Sequence, residues 1–193
     1  MASAACAPPR ASTAPVPVIP APHTAVVGDG RWILADSVEI IHADQGNAEL
    51  RSLGDMTRQL VDASRREPVR QPLPADPVTA RIRLRIDPSM ASPAGESYQL
   101  VVTPDDINIA APAAAGVFYG LQTLRQLLEA AAAQCDRRAV SLTAITIVDA
   151  PRFPYRGLHL DVGRHFFPAA FIKRYIDLMA RFKLNTFHWH LTE

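Results

Sequence analysis

The chain has 193 residues, 48% of them apolar, and a formal net charge of +1. That suffices for a real core and fits one full domain, or one small domain plus part of another. The near-neutral balance without a long basic run argues against nucleic acid as a partner, and no stretch approaches the roughly 18 consecutive apolar residues of a membrane span.

Residues 1–31 read as a flexible leader. The first part is rich in Pro, Ala, Ser and Thr and cannot bury enough surface to order itself. No apolar h-region precedes it, so an intact secretory signal is not expected. Ser3-Ala4-Ala5-Cys6 is similar to the end of a lipoprotein signal and equally to a plain Ala-rich start; export is one expectation, and the compartment stays open. Cys6 and Cys135 are far apart, differ in context and show no metal spacing, so neither a disulfide nor a metal site is expected from them.

Folded sequence is expected from about Trp32 to residue 150. Val38-Glu39-Ile40-Ile41-His42 is β-rich. Residues 46–66 place Leu50, Leu53, Met56, Leu60 and Val61 at helical spacing, with Gly54 a weak point. A Pro-containing loop, 68–77, follows. Residues 81–86 alternate Arg and aliphatic side chains, the pattern of a strand with one wet face. Residues 97–103 and 107–111 are the next strands, with Pro104-Asp105-Asp106 as the turn between them. A helix over about 113–133 buries Val117, Phe118, Leu121, Leu124, Leu127 and Leu128, and a last strand runs over 143–149. The order β-α-β-β-β-α-β predicts an α+β domain, a mainly antiparallel sheet with helices on one face.

Residues 151–193 change character. In Gly157-Leu158-His159-Leu160-Asp161-Val162 the aliphatics share one face, and Gly157, His159 and Asp161 the other. Pro168 opens a helix at its first position, with Phe171, Ile172, Tyr175, Ile176, Met179 and Phe182 on one stripe. Residues 185–191 form the next strand, with His188 and His190 on one face and Phe187, Trp189 and Leu191 on the other. Strand, helix and strand make a right-handed parallel βαβ unit, the opening of a (β/α)8 barrel, whose polar interior groups near strand C-termini build active sites. Several residues qualify. The planar fork of Arg164 suits paired hydroxyls or a carboxylate, and a surface arginine is the plain alternative. His165 is a support or a loop residue. Asp161 orients Arg164 or His159, or is a structural carboxylate. Glu193 lies where the second strand ends. His188-x-His190 matches a zinc-binding pair on a strand, and also two histidines bonded within a polar barrel core.

The stretches PRFPYRGLHLDVGRHFFP and IDLMARFKLNTFHWHLTE together resemble the family 20 glycoside hydrolases, the β-N-acetylhexosaminidases. Weaker likenesses to that family's N-terminal domain lie at 96–100, 107–111 and 116–124. The resemblance implies release of terminal N-acetyl-β-hexosamine from an oligosaccharide or glycoconjugate, with retention and without metal or other cofactor. The substrate's own 2-acetamido oxygen attacks the anomeric carbon, a recognised exception to the two-carboxylate scheme of glycosidases. An adjacent Asp-Glu pair on a later strand steers the acetamide and protonates the leaving oxygen. Arg164 matches the arginine on the ring hydroxyls, Glu193 an acidic position, more often Asp, in the active-site hydrogen-bond network, and Asp161 and His190 positions lining the barrel interior. No Asp-Glu dipeptide occurs in the chain, so the expectation is an N-terminal part that is inactive alone and aggregation-prone through unpaired strand edges. A non-catalytic remnant of such an enzyme and a zinc-dependent barrel hydrolase using His188 and His190 are the competing readings.

Overall fold

A computed structural model describes residues 16–44, 46–65, 79–90, 95–134 and 140–192. The element order is β1 (Thr24–Ile33), β2 (Val38–His42), α1 (Ala48–Ser64), β3 (Ala80–Ile86), β4 (Tyr98–Val102), β5 (Asp106–Ala111), α2 (Ala114–Gln134), β6 (Ser141–Asp149), β7 (Gly157–Asp161), α3 (Ala169–Arg181) and β8 (Thr186–His190). Cys6, Cys135, Glu193 and the 68–77 loop lie outside the described residues.

The first six strands form one sheet in the order β1-β6-β4-β5-β3-β2. Pairing is antiparallel for β1–β6, β6–β4 and β4–β5, and parallel for β5–β3 and β3–β2. The architecture is the expected α+β layer, with a mixed sheet. The alternation in β3 does what its pattern dictates. Ile82 and Leu84 are buried under the helices, whereas Arg81 and Arg85 reach solvent. Thr103 N–H donates to the Asp106 carbonyl at 2.9 Å, closing the turn between β4 and β5.

The fold begins earlier than residue 32, which shortens the expected leader. β1 (Thr24–Ile33) pairs with β6 and shifts register between Val27 and Arg31. The Gly28-Asp29-Gly30 stretch, which the sequence assigns to the leader, is a β-irregularity, with Gly30 at φ 95; such irregularities hide strand periodicity. Further upstream, Val18 is buried in the core. Gln126 clasps the backbone of Ile19, accepting from its N–H at 2.8 Å and donating to its carbonyl at 2.9 Å.

Two local devices seat the helices. Asn47 caps α1, its Oδ1 accepting from Glu49 N–H at 2.9 Å and Leu50 N–H at 3.1 Å, which satisfies donors that a helix start otherwise leaves open. On α2, Gly116 and Gly120 bring the helix against β4 and β5. A Cβ at Gly116 would lie 2.2 Å from the Ser97 carbonyl oxygen and 2.7 Å from the Ala111 Cβ. Backbone cannot yield as a flexible side chain does. Gly116→Ala is therefore expected to destabilise the domain by about 1–3 kcal/mol, read as a lower urea midpoint with unchanged slope.

The second unit is a β7-α3-β8 crossover. β7 and β8 are parallel, pairing Leu158 with Phe187, His159 with His188, Leu160 with Trp189 and Asp161 with His190. Pro168 sits at the N-cap of α3 rather than at its first helical position, where the sequence places it, and the helix starts at Ala169. Of the predicted α3 stripe, Ile172 and Met179 are buried, whereas Phe171 and Ile176 stay substantially exposed. Tyr175 links helix to sheet, its ring 5.6 Å from Phe187. Among the described residues, no helix is long and apolar enough to cross a membrane.

Candidate active site

Because β7 and β8 run parallel, their C-terminal ends share one rim. Residues at odd positions of β7 and even positions of β8 face away from α3. The rings show it: His159 lies 4.5 Å from His188 and 6.0 Å from His190, centroid to centroid, while Phe187 and Trp189 stack at 5.8 Å on the opposite face. His159 and Asp161 therefore point away from the helix, as their alternation predicts.

Asp161 terminates β7 and organises the turn after it. Its Oδ1 accepts from Gly163 N–H at 2.9 Å and Arg164 N–H at 3.2 Å. Its Oδ2 takes an Nη1–H of Arg164 in a charge-assisted bond. Of the three roles the sequence leaves open for Asp161, the contacts agree with orienting Arg164: the carboxylate bonds both the backbone and the guanidinium of that residue. Partial burial pushes the Asp161 carboxyl up. The Arg164 amide and charge, the Gly163 amide and the charge of His190 outweigh that push and hold it below the usual range. The Arg164 side chain is 66% exposed, so its guanidinium reaches solvent at the rim beside the register pair Asp161 and His190. His165 and Phe166 continue the exposed loop.

Among the described residues, no group of three His, Cys, Asp or Glu side chains is arranged to hold a metal ion. A groove of about 590 Å³ lies between α1, α2 and α3 and includes neither Arg164 nor Asp161.

Sequence reasoning missed a second polar cluster, at the opposite ends of β7 and β8. Arg156, just before β7, donates to Glu96 through Nη1 at 3.0 Å and Nη2 at 3.1 Å, and to the Tyr119 hydroxyl at 3.1 Å. Lys183, just before β8, donates to the Tyr98 hydroxyl at 2.8 Å and to Asp149 at 3.1 Å. Desolvation raises the Glu96 carboxyl, yet the bonds from Arg156 and Asn185 and the Arg156 charge hold it low overall. Burial lowers the Lys183 ammonium against the pull of Asp149, and burial followed by the Asp149 charge drives the Tyr98 phenol up. The only sequence signal was an Arg in Pro154-Tyr155-Arg156-Gly157, which reads equally well as surface.

An α+β layer leading into a parallel β-α-β crossover, with an Asp-held arginine at the C-terminal rim, defines the class: the front of an α/β-barrel protein with polar groups gathered at its strand ends. Comparison with known proteins specifies it. Residues 16–150 match the model of glycosyl hydrolase family 20, domain 2, and residues 153–193 match that family's catalytic domain. The chain belongs to glycosyl hydrolase family 20. It is 34% identical to a beta-hexosaminidase of Porphyromonas gingivalis over 91% of its own length and 22% of that protein's. It is 33% identical to a beta-N-acetylhexosaminidase of Cellulomonas fimi over 92% of its own length and 35% of that protein's. Among solved structures, it is similar to the family 20 beta-N-acetylhexosaminidase of Streptomyces coelicolor A3(2), with TM-score 0.70 and 36% identity, covering 91% of this chain and 35% of that one. A Vibrio harveyi family 20 exo beta-N-acetylglucosaminidase, in complex with N-acetylglucosamine, aligns with TM-score 0.69 and 27% identity over 96% of this chain and 27% of that one. The chain thus spans 22% and 35% of the lengths of those two named relatives.

Proposed function

We propose that this chain is the N-terminal part of a retaining, substrate-assisted β-N-acetylhexosaminidase acting on oligosaccharides or glycoconjugates that end in N-acetyl-β-hexosamine. The observation that carries the reading is the rim geometry. Asp161 pins the backbone and the guanidinium of Arg164 where two parallel strands end, in a segment matching the family's catalytic domain. In this reading the Arg164 fork donates to vicinal ring hydroxyls. Asp161 and His190 line the barrel interior beneath the sugar, and Glu193 corresponds to an acidic position in the active-site hydrogen-bond network.

The reaction needs no nucleophile from the protein. The acetamido carbonyl oxygen of the substrate bonds to the anomeric carbon as the glycosidic bond breaks. A Glu carboxyl gives its proton to the leaving oxygen, which departs as the alcohol, and water then opens the cyclised intermediate while yielding a proton to the carboxylate. The acid and its Asp neighbour belong to a later strand of a complete barrel. The naming of the P. gingivalis and C. fimi relatives and the N-acetylglucosamine held by the V. harveyi protein support the substrate class.

The test is hydrolysis of an aryl N-acetyl-β-glucosaminide. A protein continuing this chain through a complete family 20 barrel is expected to turn it over, and the 193-residue chain alone is not. Turnover by the pure short chain, or release of product with inverted configuration by the long one, refutes the reading.

A further inference from the structure

The cluster beneath the strands surrounds a cavity of about 330 Å³ lined by Glu96, Tyr98, Tyr119, Asp149, Arg156 and Lys183, among others. Its polar groups are spent on one another. Arg156 donates through Nε to the Lys183 carbonyl, through Nη1 to Glu96 and the Phe153 carbonyl, and through Nη2 to Glu96 and Tyr119. A guanidinium has five N–H donors, so none is left for a ligand. Tyr98 bonds Thr123 and Asp149 while accepting from Lys183. A network this closed perturbs ionisation for structural reasons rather than to bind something.

We propose that the α+β layer sets the register of β8 against β7 through two separate attachment points. Arg156 and Lys183 are thus positioning residues for the rim at the far ends of those strands. Each attachment stands shortly before a strand, Arg156 directly before β7 and Lys183 three residues before β8. Arg156 docks on Glu96 and Tyr119. Lys183 docks on Tyr98 and Asp149, which are themselves register partners of β4 and β6. Asn185 ties the two points together: its N–H donates to the Arg156 carbonyl at 2.9 Å, and its Oδ1 accepts from Arg156 N–H at 3.0 Å.

The backbone at Lys183 supports this assignment. It follows the C-cap Phe182 of α3 and has φ 61, the left-handed conformation that glycine usually supplies at that position. A lysine there accepts strain and brings its ammonium into the α+β layer, where its side chain is 9% exposed. Register matters because strands rise by about 3.3 Å per residue. A slip of two residues would carry His190 about 6.6 Å from its place beside Asp161, and a slip of one would turn every side chain of β8 to the wrong face. The structural consequence stands by itself. The consequence for sugar binding rests on the hexosaminidase reading.

The experiment uses a protein carrying this chain and a complete family 20 barrel, with Lys183→Gly, Lys183→Arg and Tyr98→Phe variants. Glycine suits the backbone better than lysine, so a purely conformational role predicts that Lys183→Gly is harmless. The register role predicts about tenfold faster hydrogen exchange at amides 186–190, unchanged exchange at 98–102, and substantial recovery in Lys183→Arg. N-acetylglucosamine binding should weaken by about the same factor. Wild-type exchange at 186–190 in Lys183→Gly, or equal acceleration in both segments, overturns the proposal. If Lys183→Gly does not fold, the same exchange comparison in Tyr98→Phe decides. A wild-type protein that does not bind N-acetylglucosamine refutes the hexosaminidase reading, while the exchange data still decide the register claim.

Discussion

Arg156→Met is expected to destabilise the chain by about 3–5 kcal/mol. The pair it breaks is largely out of solvent, with side chains 14% exposed for Arg156 and 13% for Glu96. Removing the guanidinium leaves the Glu96 carboxylate without its counter-charge, beside the Tyr119 hydroxyl and the Asn185 amide. The methionine refills the volume but donates nothing, and an uncompensated buried charge is far costlier than the loss of one ordinary hydrogen bond. Glu96→Gln leaves the complementary cation stranded. The double variant should recover part of the loss, so a double-mutant cycle in urea should give a coupling well above the ~1 kcal/mol ceiling of exposed pairs such as Arg58–Asp55. An Arg156→Met cost within about 0.5 kcal/mol of zero removes the pair as a structural anchor.

The same pair sets an acid limb. Glu96 titrates below its ordinary value in the folded chain, so the unfolded chain binds its proton first as pH falls. The stability it contributes is complete above the unfolded carboxylate range, near about pH 4.3. It drains as pH falls from there through the lower folded value. Glu96→Gln should flatten that limb, which thermal melts between neutral and acid pH would reveal.

Much of this fold was legible because local patterns and tertiary demands agree. The Arg and aliphatic alternation of β3, the apolar stripe of α2 and the paired alternations of β7 and β8 each identify a face, and the structure honours those faces. Patterns of faces do not specify neighbours, however. Nothing in β3 states that it lies between two parallel partners, since burial of one side looks the same either way. β1 escaped notice because Gly28 and Gly30 interrupt its period at an irregularity. The Asp161–Arg164 pair was within reach of sequence reasoning because it spans three residues across a strand end. Lys183 and Tyr98 are 85 residues apart, and a lysine after a helix reads as a solvated charge until coordinates bury it.

Arg164→Ala, in a protein that completes the barrel, should lower kcat/KM for an aryl N-acetyl-β-glucosaminide by about 10- to 150-fold, the equivalent of about 1.5–3 kcal/mol for bonds to a charged donor. The partition between constants carries the mechanism. A fork on ring hydroxyls remote from the breaking bond holds ground state and transition state alike, so KM should rise while kcat changes little. A dominant fall in kcat would instead place Arg164 on charge that develops during the reaction. Arg164→Lys keeps the charge and loses the planar fork, so it should recover only a minor share. Asp161→Asn tests the support. The amide oxygen can still accept from the Gly163 and Arg164 N–H groups, but the counter-charge that pins the guanidinium is gone. Its KM effect should point the same way as that of Arg164→Ala and be smaller, and the double variant should be no worse than Arg164→Ala alone, because Asp161 acts through the arginine. Additive losses would show that Asp161 meets the sugar directly. Wild-type kinetics in Arg164→Ala would remove the arginine from the sugar site.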